Sequence, residues 1–394
     1  QHLRADTFDR FRRGPGPCLL ALAGPCLALA WPLPERLCSF EVAAMACPMV
    51  DRGLRAVAET LWLATTRVGS FGTLLGLTLP LDGGGLRFRQ LDKEQSVLSL
   101  PLPDWSVRAD GTLCLATALA LHDEISTYGG MAPWDARHRP GVSISLSGRL
   151  VGSALCDAGK ALHFVTRPLK LGRTLGYLEL EIWSGDGEPR DLLAVGRHCK
   201  ALKFPGSSAA LGSLLQLGGH PAVYPLVQPI AYNWLASRPI APPPLQPTRR
   251  ADLFPPLAAL SASGGVSSLL PDAAFSCDYS TPLSPALANM IGSLHGGAAC
   301  ILGEQAASTA LRDSLGLAEA PPARAFAAQL LSALPCDGRE ARIAAAVGSG
   351  GGATRLGAVA IGSEQGSRAV ECMAWYDVGQ EREGDHRVMR RGGD

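Results

Sequence analysis

The residues with the clearest chemical potential lie in one stretch near the C-terminal end, which reads NMIGSLHGGAACILGE from Asn289 to Glu304. Within it, His295, Gly296 and Gly297 open a run rich in alanine, isoleucine and leucine, and this run predicts a helix. Two glycines at a helix start leave backbone N–H groups exposed, with room for a ligand oxygen to approach them. The positive end of the helix dipole lies at the same place. The stretch therefore predicts a site that can polarise a carbonyl group.

The spacing within this stretch separates its histidine from its acid. Glu304 follows His295 by nine residues. Nine helical steps correspond to roughly 180° of rotation and about 13 Å along the axis. One small reacting group cannot be served by both residues of a single helix. An acid that completes the His-Gly-Gly end must come from a second helix packed alongside.

An earlier stretch repeats the same pattern in register. The letters GTLC end at Cys114 and correspond to the letters GSLH that end at His295. Asp123 follows Cys114 by nine positions, as Glu304 follows His295. This first copy keeps the acid, but Arg108 stands where the second copy has an asparagine, and the histidine is replaced by cysteine. Asp123 is therefore the acid we expect beside the His-Gly-Gly end.

The pattern Asn-x-x-Gly-[Ser/Thr]-Leu-His-Gly-Gly, with Asp or Glu nine residues after the histidine, resembles the hotdog-fold acyl-CoA thioesterases. The closest type is the phenylacetate-pathway and thioesterase-superfamily group. Later segments of the first copy also closely resemble strands of that family: GVS at 141–143, KLGRT at 170–174 and GRHCK at 196–200. The later strands of the second copy resemble the family weakly, and no second GRHxK motif is present.

The resemblance implies an α+β fold in which a long central helix is wrapped by an antiparallel sheet. Two such hotdog units are expected to form a pseudo-dimer within one chain, with their helices side by side. Glycine- and proline-rich segments suggest the boundaries between these parts. The predicted parts are an N-terminal extension at 1–48, hotdog unit one at 49–204, a linker at 205–272, hotdog unit two at 273–378 and a charged tail at 379–394.

In that family the active site lies between two units, with His-Gly-Gly from one and the acid from the other. Carried onto this sequence, Asp123 is the expected general base on a water, and the N–H of Gly296 or Gly297 is the expected donor to the thioester oxygen. The other expected site residues are Asn289 and Ser143, which would orient the water, and His295, which would shape the turn and bond the carbonyl. Family strands near the phosphates of coenzyme A correspond to Arg173, Arg197, His198 and Lys200.

The function that the resemblance implies is hydrolysis of an acyl-CoA thioester at one composite site, without a cofactor or a metal. The alternative is a catalytically inactive hotdog protein that binds acyl-CoA or serves as a structural assembly subunit. A hydratase or dehydratase uses histidine and acid on the same fold, but the Asn-x-x-Gly-Ser-Leu-His-Gly-Gly context argues against it. The expected partner is acyl-CoA, and a homodimer of two such pseudo-dimers is compatible with the resemblance.

Composition narrows the remaining possibilities. The 394 residues are 47% hydrophobic and 18% charged with a net charge of +1, which indicates a globular chain and gives no case for nucleic acid. Eleven cysteines without any C-x-x-C pair favour reduced, intracellular thiols. An apolar run at 18–31 follows several arginines, is broken by Pro25 and is shorter than the ~20 residues of a membrane span. We read this region as a loose extension or a targeting segment, which favours a mitochondrial or other organellar location over the cytoplasm.

Overall fold

The computed structural model describes residues 50–68, 71–77, 85–157, 159–202, 257–260, 270, 272–289, 291–348, 353–363 and 367–379. Three predicted features lie outside these residues: the N-terminal extension, most of the linker and most of the charged tail. The boundaries given above remain predictions.

Two long helical segments carry the two copies of the motif. Helix α1 spans Arg52–Val68 and α2 spans Phe71–Leu74. Helix α3 spans Leu115–Ser126 and continues through a π-helical turn at Thr127–Met131 into α4 at Ala132–Trp134, while α5 spans Gly296–Leu315. No helix in the described ranges is both long enough and apolar enough to cross a membrane.

Twelve strands account for most of the remaining described chain. Those of the first half are β1 (Arg87–Leu91), β2 (Ser96–Pro101), β3 (Val142–Leu150), β4 (Ala161–Leu171), β5 (Leu175–Gly185) and β6 (Asp191–Ala201). Those of the second half are β7 (Ala258–Leu260), β8 (Ala273–Pro282), β9 (Ala323–Leu330), β10 (Glu340–Gly348), β11 (Thr354–Ser363) and β12 (Arg368–Asp377).

All twelve strands belong to one antiparallel sheet, in the order β1-β2-β4-β5-β6-β3-β9-β12-β11-β10-β8-β7. The prediction of an α+β chain with a mostly antiparallel sheet and few helices is confirmed. Strands β2-β4-β5-β6-β3 of the first half and β8-β10-β11-β12-β9 of the second half follow the same spatial order. The halves meet where β3 pairs with β9, so the sheet is continuous across the junction.

Two local predictions differ from the structure. The sequence LGLTL at 75–79 predicts a strand, but residues 75–77 form a turn after α2 instead, and 78–79 lie outside the described residues. The segment KLGRT was expected to lead a strand, whereas Lys170 and Leu171 end β4 and Gly172 opens the turn into β5. In both places the chain turns at a glycine where extended structure was expected.

Helices α3 and α5 lie against each other on one face of the sheet, and every residue of α3 is buried. Small residues permit this close packing. A methyl group placed on Gly297 would lie 2.8 Å from the Cα atom of Ala120 on α3. A methyl group on Gly148 of β3 would likewise lie 3.0 Å from Leu119. The packing of the helices on each other and on the sheet therefore fixes where the polar residues of α3 and the start of α5 meet.

Helix α1 covers the π-helical turn after α3 and the short helix α4, and α2 lies against Glu124 of α3. The indole of Trp62 on α1 is buried, donates from Nε1 to the carbonyl oxygen of Leu77 at 2.9 Å, and packs where Gly129 has no side chain. The N–H of Phe71, at the start of α2, donates to the carbonyl oxygen of Ala288 at 3.0 Å. This bond connects α2, which precedes the first motif, to the loop that leads into the second motif.

The helix packing makes a direct stability prediction. Leu119 is 1% exposed at the contact of α3 with β3, so Leu119→Ala should lower the free energy of unfolding by about 2–5 kcal/mol. Leu317 is 39% exposed just after α5, and Leu317→Ala should cost less than about 0.5 kcal/mol. Urea unfolding of both variants checks this, and equal losses would contradict the described packing.

Candidate active site

The candidate site is built around the carboxylate of Asp123, which is fully buried on α3. Its two oxygens face different parts of the chain. Oδ1 lies toward strands β3 and β6 of the first half, and Oδ2 lies toward the start of α5 in the second half. The carboxylate is thus shared between the two halves.

Three side chains from the first half surround Oδ1. Ser143 on β3 donates its hydroxyl to Oδ1 at 2.9 Å. His198 Nε2 and Lys200 Nζ, both from β6, lie 3.2 Å and 3.4 Å from the same oxygen. Lys200 also donates to Thr127 Oγ1 at 2.7 Å and to Ser143 Oγ at 3.2 Å. The result is a buried, fully connected polar network, a type of arrangement that fixes the positions of its members.

The start of α5 meets Oδ2. The N–H of Gly297 donates to this oxygen at 2.9 Å. The side chain of His295, which is the N-cap residue of α5, accepts from the same N–H through Nδ1 at 3.0 Å. Nδ1 itself lies 3.4 Å from Asp123 Oδ2. A methyl group on Gly296 would lie 2.7 Å from Oδ2, so the absence of a side chain there permits the contact.

The other nitrogen of His295 faces a second buried acid. Nε2 lies 2.9 Å from Oε1 of Glu124, the residue that follows Asp123 on α3. The ring of Phe71 on α2 lies over the imidazole, with ring centroids 5.1 Å apart and planes tilted by 32°. Both nitrogens of His295 are therefore engaged, and its face is covered.

The charges in this cluster shift the pKa values of its members in different directions. Burial by itself raises the pKa of Asp123, but nearby Lys200, His295 and His198, with the Ser143 hydrogen bond, outweigh it, so the pKa lies well below its usual value. Burial lowers the pKa of His198 to about 3, although the negative charge of Asp123 acts to raise it. Asp123 is therefore a carboxylate and His198 a neutral imidazole near pH 7.

His295 behaves in the opposite way to His198. Burial alone lowers the pKa of His295, but the carboxylates of Asp123 and Glu124 outweigh it, and the pKa is raised above its usual value. A protonated His295 would donate from Nδ1 to Asp123 and from Nε2 to Glu124, and the N–H of Gly297 would then donate to Asp123 Oδ2 alone. Two buried carboxylates would then face two buried cations, because Lys200 supplies the other positive charge.

The side chain of Asn289 is hydrogen-bonded to the turn that follows it. Its Oδ1 accepts from the N–H groups of Ile291 and Ser293 at 3.0 Å and 3.2 Å, and its Nδ2 donates to Ser293 Oγ at 2.9 Å. Gly292 completes this turn with a φ of +77°. These side-chain bonds shape the turn that leads into His295, and a role of Asn289 in orienting a catalytic water stays a prediction.

The four residues expected near the phosphates of coenzyme A do not lie together. His198 and Lys200 are 1% and 3% exposed and face Asp123, so their expected role in phosphate binding is corrected. Arg197, between them on β6, is half-buried and by strand alternation lies on the opposite face of the sheet. Arg173 is exposed in the turn between β4 and β5. Of the four residues, these two arginines keep the predicted role.

The alternative pairing around Glu304 is also present. Glu304 is 2% exposed on α5 and accepts a hydrogen bond from the thiol of Cys114 at 3.2 Å. Arg108, which stands in the register position of Asn289, donates instead to Glu319 and to the carbonyl oxygen of Ala320. A buried carboxylate thus lies at each end of the contact between α3 and α5. The network of serine, histidine and lysine side chains surrounds Asp123.

Sequence reasoning brought together Asp123, Ser143, His295, Gly296 and Gly297, and it missed two contributors. Glu124 follows Asp123 directly, and a second acid in an apolar helix was a signal for it. Phe71 gave no signal, because an aromatic residue at the end of an amphipathic segment is typical of ordinary core packing. Within the described residues no group of three or more His, Cys, Asp and Glu side chains is placed to hold a metal ion.

No protein-family model and no curated protein matches the chain. Solved structures that are similar to it are thioesterases, the family that the motifs resemble. A Mycobacterium marinum acyl-CoA thioesterase II is 14% identical, covering 78% of this chain and 98% of its own, with a TM-score of 0.45. The tesB protein of Mycobacterium avium subs paratuberculosis is 11% identical over 78% and 99%, with a TM-score of 0.44. Zebra fish thioesterase superfamily member 2 is 23% identical over 36% and 98%, with a TM-score of 0.28.

The buried neutral histidines predict how stability depends on pH. Burial lowers the pKa of His122, on the opposite side of α3, to about 3. Because the unfolded chain binds this proton near pH 6.5, each such histidine should destabilise the fold by about 1.4 kcal/mol for each pH unit below that value. His122→Gln should remove one of these contributions. Its free energy of unfolding relative to the wild type should therefore rise as the pH falls from 7 to 5, measured in urea; a difference that is constant with pH would contradict it.

Proposed function

We propose that the protein is an acyl-CoA thioesterase with one composite active site where α3 meets the start of α5. The observation that carries this proposal is the contact between Asp123 of one half and the Gly296–Gly297 helix start of the other. A fixed carboxylate beside backbone N–H groups at a helix start is suited to attack of a water on a thioester carbonyl.

The two glycines have different roles in this proposal. The N–H of Gly297 already donates to Asp123, whereas no described residue accepts a hydrogen bond from the N–H of Gly296. We assign the oxyanion to Gly296. A water attacks the carbonyl carbon and transfers a proton to Asp123, the tetrahedral oxyanion is held at Gly296, and the C–S bond then breaks. The departing thiolate of coenzyme A takes the proton back from Asp123.

A tandem duplication accounts for the architecture. The two halves share their strand order, and both β3–β6 and β9–β12 have a register irregularity at the same step. In the first half Lys200 pairs with Ser143 next to this irregularity, and in the second half Tyr376 pairs with Ala323. Two hotdog units related by an approximate twofold axis at the β3–β9 junction explain these correspondences.

The same correspondences explain why only one site is expected to act. Lys200 bonds Thr127 in the first half, and its counterpart Tyr376 lies 3.1 Å from Ser308 in the second half. The contact is kept, but the cation is lost. The residues around Glu304 that correspond to His295, Gly297, Ser143, His198 and Lys200 are Cys114, Ala116, Ala323, Ala374 and Tyr376. These counterparts keep the backbone N–H at the helix start, but they lack the two imidazoles, the serine hydroxyl and the ammonium group that surround Asp123.

The alternative function, an inactive protein that binds acyl-CoA, has one observation in its favour. Asp123 accepts from Ser143, Lys200 and Gly297. Burial raises its pKa, but Lys200, His295 and His198, with the Ser143 hydrogen bond, outweigh burial and hold the pKa well below the usual value. A carboxylate stabilised in this way is a weak proton acceptor, because catalysis is most efficient when the base has a pKa near the working pH. Turnover measurements decide between the two functions.

The first prediction concerns the two buried acids. Asp123→Asn should lower kcat for acyl-CoA hydrolysis by roughly 10²–10⁴, the range expected of a general base. Glu304→Gln, the matched control at the corresponding position of α5, should change kcat little. The measurement is release of free coenzyme A from a panel of acyl-CoAs with a thiol-trapping reagent, with a melting curve for each variant. Similar losses in both variants at unchanged stability would mean that the site is not confined to Asp123.

The second prediction concerns Gly296. From the sequence, Gly296→Ala was expected to reduce activity at equal or greater stability, because alanine favours helices. The structure changes that expectation: the new methyl group would meet Asp123 Oδ2 at 2.7 Å and Ser143 Cβ at 2.9 Å. Gly296→Ala should therefore lower both the melting temperature and the hydrolysis rate. A variant that keeps wild-type activity would show that Gly296 is not the oxyanion donor.

A further inference from the structure

Glu124 is a buried acid that the proposed reaction does not use. It is 2% exposed on α3, and its Oε1 lies 2.9 Å from His295 Nε2. An ionisable group is almost never buried this deeply without a partner. Its partner here is the N-cap residue of the helix whose start forms the proposed oxyanion site.

Helix α2, which precedes the first motif, covers the contact between Glu124 and His295. A methyl group on Gly72 would lie 2.9 Å from the carboxyl carbon of Glu124, so the backbone of α2 is in direct contact with the acid. Phe71 covers the imidazole of His295, and its N–H is bonded to the loop before it. The Glu124–His295 contact is therefore enclosed by apolar groups and backbone, which strengthens its electrostatic part.

Both ring nitrogens of His295 are fixed as a consequence. Nδ1 lies 3.4 Å from Asp123 Oδ2 and 3.0 Å from the backbone nitrogen of Gly297, while Nε2 lies 2.9 Å from Glu124 Oε1; as a cation, His295 donates from Nδ1 to Asp123 and from Nε2 to Glu124. A ring held at both ends cannot rotate, and the first turn of α5 is attached to it. The orientation of the Gly296 N–H thus depends on the Glu124 contact, although Glu124 would not touch the substrate.

We propose that Glu124 is a positioning residue that holds His295 as a cation at the start of α5 and so fixes the proposed oxyanion site. This inference rests on the proposed function. The positive charge on His295 lies at the start of α5, where it would help to stabilise the negative charge that develops on the oxyanion during the reaction. Glu124 is thereby distinct from Asp123, the acid that accepts the proton.

Several ionisable groups face His295 and contribute to its charge state. From α3 these are Asp123 and Glu124, and from β6 they are His198 and Lys200. The covering residues Phe71 and Gly72 of α2 carry no charge. Glu124→Gln keeps an oxygen acceptor for Nε2–H but removes one of the two negative charges, so His295 should lose its proton at a lower pH than in the wild type.

The test uses the full chain, labelled with ¹⁵N in its histidines, for an NMR titration, together with steady-state hydrolysis of acyl-CoA. His295→Gln assigns the signal. In Glu124→Gln the His295 titration should move to lower pH, and kcat should fall by up to about 100-fold with a smaller change in KM, as expected for a misplaced catalytic group. Glu304→Gln is the matched control, since it removes a buried carboxylate from α5 without touching the pair, and it should change neither readout.

The outcomes separate this inference from the proposed function. A His295 titration that is unchanged in Glu124→Gln overturns the inference, as does a shifted titration with wild-type kcat. A wild type that hydrolyses no acyl-CoA in the panel overturns the proposed function, and with it any role of Glu124 in that reaction, while the titration still reports the ion pair. Should Glu124→Gln fold poorly, Gly72→Ala displaces the carboxylate from the other side and should move both readouts in the same direction.

Discussion

The buried carboxylate of Asp123 is the interaction on which the arrangement depends. A charge removed from water in this way is stable only when it is paired and hydrogen-bonded. Its donors come from both halves of the chain: Ser143 and Lys200 from the strands that follow it, and the N–H of Gly297 from α5. Separation of α3 from α5 would remove the N–H of Gly297 and the side chain of His295 from this buried charge, so the acid couples the packing of the two halves to the geometry of the site.

Close helix contact has a chemical consequence as well as a structural one. Glycine at 296 and 297 permits the start of α5 to approach α3 to the distance of a direct contact, and this places backbone N–H groups beside the acid. At the other end of the contact between α3 and α5, Glu304 accepts from the thiol of Cys114, which in turn accepts from the hydroxyl of Thr117. The contact between α3 and α5 thus has a charged network at one end and a thiol–carboxylate contact at the other. This asymmetry fits the proposal of a single active site at Asp123.

The sequence was sufficient to predict the main parts of this arrangement. The nine-residue spacing showed that His295 and its acid must come from different helices, and the repeated register identified Asp123. It was less informative about side chains on strands, because His198 and Lys200 read equally well as exposed cations or as buried partners. Which of these holds depends on the packing of β6 on α3, which no local pattern records. The cover by α2 was missed for the same reason, since Phe71 is distant in sequence from His295.

The central claim is that one acyl-CoA binds per chain, at the junction of α3 with α5. A crystal structure with a non-hydrolysable 2-oxoalkyl thioether of coenzyme A tests it most directly. The account predicts one bound molecule per chain, with its carbonyl oxygen within hydrogen-bond distance of the N–H of Gly296 and its reactive carbon near Asp123. A ligand bound beside Glu304 and Cys114, or at a place remote from both helix crossings, would contradict the account.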